Sequence, residues 1–180
     1  VVRLAPDVAV DDVQDQIQQV AHLRSDFQRV MLASRSEGDL FVPPERRREL
    51  IAEQGVPLVW AFFATERGVH AAYPGKGGYG ATYDPRQRPW YRLSANKAGP
   101  QWGNPYVDAQ GQGMLLPFTT SVYDDDGALV GVAGMELTFR YLIDRLLDLP
   151  ELAGVQETFL LTGEGRVVVR SGAGEDFSES

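Results

Sequence analysis

Tyr83, Arg86, Arg88, Trp90 and Tyr91 stand together in the stretch YDPRQRPWY, and Trp102, Tyr106 and Asp108 follow soon after. Cations set among aromatic rings suit a pocket for a small ligand that carries a carboxylate. A guanidinium offers that group a planar fork, and the rings wall off the rest of the molecule. Each such charge-assisted bond is worth roughly 1.5–3 kcal/mol. Taken singly, Tyr83, Trp90 or Tyr91 is more simply a core aromatic, so the case rests on the cluster. Catalysis has thinner support. The chain has no Cys, which excludes disulfides, thiolate metal sites and thiol chemistry. His22 and His70 are isolated, which argues against a His-based zinc site or a Ser–His pair. Asp108 and Glu136 would be the carboxylates of a hydrolase, but no nucleophile–base spacing accompanies them. The loop Gly75-Lys76-Gly77-Gly78-Tyr79-Gly80 lacks the order of a phosphate-binding loop and reads as a pocket lid. Asp124-Asp125-Asp126 lacks the spaced ligands of a calcium loop and reads as a solvated turn. The Glu45-Arg46-Arg47-Arg48-Glu49 run could bind a phosphate but reads better as a solvated helix face. No metal and no cofactor is expected.

The elements that must position these residues sit in a chain of 180 residues, 43% apolar, 10% aromatic and 23% charged, which is ordinary globular composition. Lys and Arg number 17 against 25 Asp and Glu, a net charge of −8. An acidic surface repels phosphate backbones, so nucleic acid is not an expected partner. No apolar run approaches the ~18 residues a membrane helix needs. Val1 opens on a polar, helix-like segment rather than on a leader.

Residues 11–32 read as one long amphipathic helix, with Val13, Ile17, Val20, Phe27 and Met31 on a single stripe that Arg24 interrupts. Asp11 and Gln14 have the spacing of a capping box. Pro43-Pro44 start a second helix, PERRRELIAEQ, that stops at Gly55. Residues 58–65 and 69–73 form a hairpin through Glu66-Arg67-Gly68, and 114–123 pairs with 128–138 through Asp124–Gly127. Pro117 costs a ladder bond and predicts an edge or a bulge. Residues 139–149 read as a helix stopped by Pro150, and 158–161 with 166–170 make a third hairpin. The segment 171–180, rich in Gly, Ser and acid, reads as disordered. Between the two main hairpins, residues 74–113 read as a long functional loop. Hairpins with helices on one face give an α+β fold.

Tyr83-Asp84-Pro85-Arg86-Gln87-Arg88-Pro89-Trp90-Tyr91 resembles the YDPRxRPWY signature of Cache sensor domains. The resemblance continues through Trp102-Gly103-Asn104-Pro105-Tyr106-Val107-Asp108, like the family's W-x-x-PY-x-D, and through Gly127 to Glu136, like its G-x-hydrophobic-x-GV-x-G-x-D strand. It covers about residues 56–140, and the long first helix fits it too. It implies a double Cache domain, the PAS-like extracytoplasmic (periplasmic or extracellular) input of a bacterial membrane signalling receptor. The implied fold is a long N-terminal helix packed on a five-stranded antiparallel sheet, plus the start of a second module. Residues 1–150 would be the membrane-distal, ligand-binding module, and 151–180 the opening hairpin of a membrane-proximal one with a disordered tail. In this family Arg88 and Trp90 match the pair that holds a ligand carboxylate. Tyr83 matches an aromatic wall, and Tyr91 and Tyr106 match tyrosines at the ammonium end. Glu136 stands where the family has an Asp that receives the ammonium, so the charge is kept on a side chain one methylene longer. Asp108 would bond the ligand or cap its own turn, and Arg86 would pair with Asp84 or a loop carbonyl in a structural role.

The function expected is therefore a non-enzymatic sensor that binds an amino acid or a related zwitterion or amine and signals to a cytoplasmic effector. Kinases, cyclases, phosphatases and chemoreceptors all follow such inputs. The alternative is a ligand-free Cache module that serves as a dimerisation or structural spacer. The first helix could pair with its copy in a homodimer, although Arg24 weakens the seam.

Overall fold

The computed structural model describes residues 1–35, 41–54, 56–75, 77–108, 111–143, 147, 153–161 and 164–170. Strand β1 (Val2–Leu4) leads through a short 3₁₀ turn, Val10–Val13, into helices α1 (Gln14–Ala21) and α2 (Leu23–Ala33). The expected single helix is thus divided at His22, whose N–H donates to the Gln19 carbonyl in a tight 3₁₀-type bond. The Asp11–Gln14 capping box does not form, because Ala9 is the residue that precedes the first turn and no side chain caps it. Helix α3 (Pro44–Gln54) starts at its proline as expected.

Strands β2 (Leu58–Thr65) and β3 (Val69–Tyr73) form the first hairpin. Gly68 takes the left-handed φ of 87° that its turn requires. The 74–113 connection is not structureless. It holds a 3₁₀ turn (Pro85–Gln87), helix α4 (Pro89–Ser94), and two-residue strands β4 (Gln101–Trp102) and β5 (Tyr106–Val107). Strands β6 (Met114–Tyr123) and β7 (Leu129–Thr138) make the second hairpin, and α5 (Phe139–Leu142) follows. The β6–β7 turn is held by the Asp124 carboxylate, which accepts from the backbone N–H groups of Asp126 and Ala128. Strands β8 (Phe159–Leu161) and β9 (Val167–Arg170) pair separately. The rest of the expected 139–149 helix, the centre of the last turn and the segment 171–180 fall largely outside the described residues.

The main sheet is antiparallel, in the order β1-β3-β2-β7-β6-β4, with β5 also on β6. Among the described residues it has seven strands where five were expected: the four strands of the two main hairpins and the short β1, β4 and β5. Pro117 is neither on an edge strand nor at a bulge. It lies opposite Glu136, between the β6 residues that pair with β4 and those that pair with β5, and its carbonyl accepts from the Gly103 N–H. The missing proline N–H therefore falls in a gap between partners.

Strand alternation gives the sheet two faces. One carries Ala61, Phe63, Ala71, Met135 and Leu137 and packs against Val13, Val20, Phe27 and Met31 of the N-terminal helices. The other carries Trp60, Phe62, Ala72 and Val132 and packs against Trp90 and Tyr91 of α4. Helix α4 is fastened there by a buried bond between the hydroxyls of Ser94 and Thr119 (2.7 Å), and by Ser121, whose hydroxyl donates to the Ser94 carbonyl (2.5 Å). The chemistry-bearing segment thus lies on the face opposite α1 and α2.

Candidate functional site

The segment Arg86–Trp90 is built by its prolines. Asp84 precedes the 3₁₀ turn, and its carboxylate accepts from the Arg86 backbone N–H (2.9 Å) and from the Arg86 guanidinium (2.9 and 2.8 Å). That bonding holds the Asp84 carboxyl below the usual carboxylate range. Arg86 also donates to Asp7 at 2.5 Å, so its role is structural. Pro89 confines the residue before it to extended backbone, and Arg88 has φ −73° and ψ 147°. Arg88 therefore projects just before α4 begins, and Trp90 enters the first turn buried.

These elements enclose one pocket between the sheet and the 74–113 segment. Of the residues singled out in the sequence, Tyr83, Arg88, Trp90, Tyr106, Asp108 and Glu136 line it. Tyr91 does not. Consecutive helical residues point about 100° apart, so with Trp90 facing the pocket Tyr91 turns into the core, its ring 5.7 Å from the Trp90 ring. The Tyr91 hydroxyl is buried with no hydrogen-bond partner among the described residues, and burial pushes it up to about 12.

The polar groups divide between two kinds. The Arg88 guanidinium lies 5.8 Å from the Tyr83 ring centre and 5.7 Å from that of Tyr106. No carboxylate among the described residues forms an ion pair with it. Glu136 is only 4% exposed, faces Trp60 and Pro117 across the sheet, and accepts a hydrogen bond from the Tyr106 hydroxyl. Burial pushes its carboxyl up to about 8, only partly offset by the Arg88 charge. Asp108 lines the pocket and also caps its own turn, accepting from the Gln112 N–H at 3.0 Å.

Of the remaining wall, Tyr79 belongs to the glycine-rich loop expected at the pocket, whereas Trp60 and Phe62 of β2 and His70 and Ala72 of β3 were not picked out in the sequence. The signal for four of them was present. Ala72 pairs with Phe62 and His70 with Ala64 in the β2–β3 register, which puts these residues on the face that carries Glu136. Tyr79 and Tyr83 stack with ring centres 4.4 Å apart, and His70 lies within 6 Å of Tyr79, Tyr83 and Trp90. Burial holds the His70 imidazole down at about 3, with nearby positive charge adding to the effect, so it is neutral. Burial likewise raises the Tyr83 hydroxyl. From β1, the Arg3 guanidinium lies 5.8 Å from the Tyr79 ring and donates to the Gly80 carbonyl at 2.5 Å, which ties the loop to the sheet edge. The pocket can hold a ligand that offers an anion to Arg88 and a cation to Glu136, with aromatic rings between them.

Residues 61–144 match the family model described as methyl-accepting chemotaxis protein-like, first PDC sensor domain. Among curated proteins, methyl-accepting chemotaxis protein McpA of Pseudomonas putida is 36% identical over 49% of this chain and 14% of its own length. Methyl-accepting chemotaxis protein PctB of Pseudomonas aeruginosa is 23% identical over 70% of this chain and 20% of its own. The chain thus spans a fifth or less of these relatives. Among solved structures, the ligand-binding domain of the Pseudomonas fluorescens chemoreceptor CtaA with L-serine superposes with a TM-score of 0.55 at 20% identity, covering 89% of this chain and 66% of that one. The ligand-binding domain of P. aeruginosa PctB with L-Gln gives 0.56 at 21% identity, covering 87% and 60%. That of PctC with GABA gives 0.55 at 21%, covering 88% and 76%.

Proposed function

We propose that this chain is the extracytoplasmic ligand-binding part of a membrane chemoreceptor, a reading supported by the match of residues 61–144 to the methyl-accepting chemotaxis protein-like first PDC sensor domain. Its ligand is an amino acid or a closely related zwitterion, held by the pocket between β2, β3, β7 and the 74–113 segment. The observation that carries this reading is the joining, in one aromatic-walled cavity, of the Arg88 guanidinium, which pairs with no carboxylate among the described residues, and the buried carboxyl of Glu136. Arg88 takes the carboxylate, with the Trp90 and Tyr83 rings beside it. Glu136 takes the ammonium, with Tyr106 and Asp108 beside it. The printed ligands of the structural neighbours, L-serine, L-Gln and GABA, all carry an amine and a carboxylate. Binding biases a two-state element that leads to the cytoplasmic signalling part. Helices α1 and α2 are the elements we assign to contact with a second copy.

The test is a thermal-shift screen of the chain against amino acids, amines and short carboxylates. A ligand at 100 times its Kd adds about 2.7 kcal/mol, or roughly 5–11 °C for a domain of this size. A shift of that size with a zwitterion is expected, and Arg88→Ala should abolish it. A shift that survives Arg88→Ala refutes the pocket assignment. A flat screen favours the spacer reading.

A further inference from the structure

The cavity is small. Its volume is about 30 Å³, where a single water needs roughly 10–15 Å³ by the same measure. By contrast, the groove that Phe27, Ala71 and Pro74 help to line on the other side of the sheet holds about 550 Å³. Once Arg88 and Glu136 take the charged ends of a zwitterion, the wall left for its side chain is Trp60, Phe62, His70, Ala72 and Tyr79. Four of these five are large rings, and the Tyr79 ring is braced against Tyr83 at 4.4 Å. Glu136, buried beside Trp60, takes up further room.

The same wall has an unmet polar demand. Trp60 is 4% exposed, and its indole N–H has no hydrogen-bond partner among the described residues. Leaving a buried donor unpaired is destabilising, so a ligand group that accepts from it is favoured. The neutral imidazole of His70 stands on the neighbouring strand. We infer that this wall sets specificity: Tyr79 limits the ligand to the smallest side chains, and Trp60 favours a hydroxyl on that side chain by donating its indole N–H to it. The ligand class is then the small α-amino acids, with serine ahead of alanine and glycine. This rests on the amino-acid reading of the pocket.

The experiment is isothermal titration of the chain with glycine, L-alanine, L-serine, L-leucine and L-phenylalanine, repeated on W60F, Y79A and R88A. Serine is expected to bind several-fold more tightly than alanine, in keeping with one neutral hydrogen bond. Leucine and phenylalanine should bind at least tenfold more weakly than alanine. W60F should bring the serine-to-alanine ratio to about one, and Y79A should close most of the gap between leucine and alanine. Because Trp60 also packs in the core, the ratio is the readout rather than either affinity alone, and the wild-type ratio needs no variant. Leucine equal to alanine in the wild type, or no preference for serine, overturns the inference. If those results come with binding lost in R88A, the amino-acid reading stands and only the inference falls. If no amino acid binds the wild type, both fall.

Discussion

At the scale of single residues, Glu136 makes the pocket sensitive to pH. Its carboxyl sits at about 8 in the fold against an ordinary value of 4.5, because burial disfavours the charged form more than Arg88 restores it. The groups around it are the Tyr106 hydroxyl, the Arg88 guanidinium, the neutral His70 and Asp108. Between pH 4.5 and 8 the folded chain holds a proton that the unfolded chain has lost, so stability falls as pH rises through that window. A ligand ammonium reverses the balance by stabilising the ionised carboxylate. Affinity for a zwitterion should therefore rise from pH 6 to pH 8, with a proton released on binding near pH 7. Titration in buffers of different ionisation enthalpy reads that proton directly, and an observed enthalpy independent of buffer would exclude the linkage. E136Q should remove both the pH slope and the ligand response.

At the scale of elements, the pocket floor depends on one close approach. A Cβ on Gly134 of β7 would stand 2.6 Å from the Phe62 ring and 2.6 Å from the Thr119 methyl. Phe62 leans on Trp90 with ring centres 4.5 Å apart, so a displacement there passes into the ligand wall. G134A is expected to cost about 1–3 kcal/mol, as overpacking does. That lowers Tm by roughly 2–12 °C and should weaken the zwitterion response, both read in one thermal-shift titration. An unchanged Tm would mean that Phe62 has room to move. The hairpins and α3 were legible in the sequence because turn glycines and a leading proline are local signals. The divided helix at His22 and the placing of Pro117 were not, since each depends on partners distant in sequence. The same holds in the site. Motif resemblance brought Tyr91 in with Trp90, but helical geometry separates neighbouring positions. Trp60 and His70 were missed because their meaning lies in a cross-strand register rather than in any run of residues.

At the scale of the whole molecule, the sheet separates two jobs. One face holds the pocket, and the other lies on α1 and α2 through Phe63, Ala71 and Met135. Strand β2 serves both, because Phe62 lines the pocket while Ala61 and Phe63 on either side of it pack toward the helices. All of the pocket residues lie between positions 60 and 136, and the buried side chains continue through Phe139 and Leu142 of α5 to Leu147, with Val169 of β9 buried beyond them. The β8–β9 hairpin forms its own two-stranded sheet and leaves Phe159, Leu161 and Val167 exposed, so those side chains add little to this core. The Thr158 hydroxyl, just before β8, donates to the Leu147 carbonyl. We therefore place the boundary of the ligand-binding module near residue 150. A chain ending there should unfold in one cooperative step, with Tm within a few degrees of the full chain and the same ligand-induced shift. Loss of the shift with cooperative unfolding intact would mean that the hairpin helps to shape the pocket. Loss of cooperativity itself would mean that residues beyond 150 complete the core.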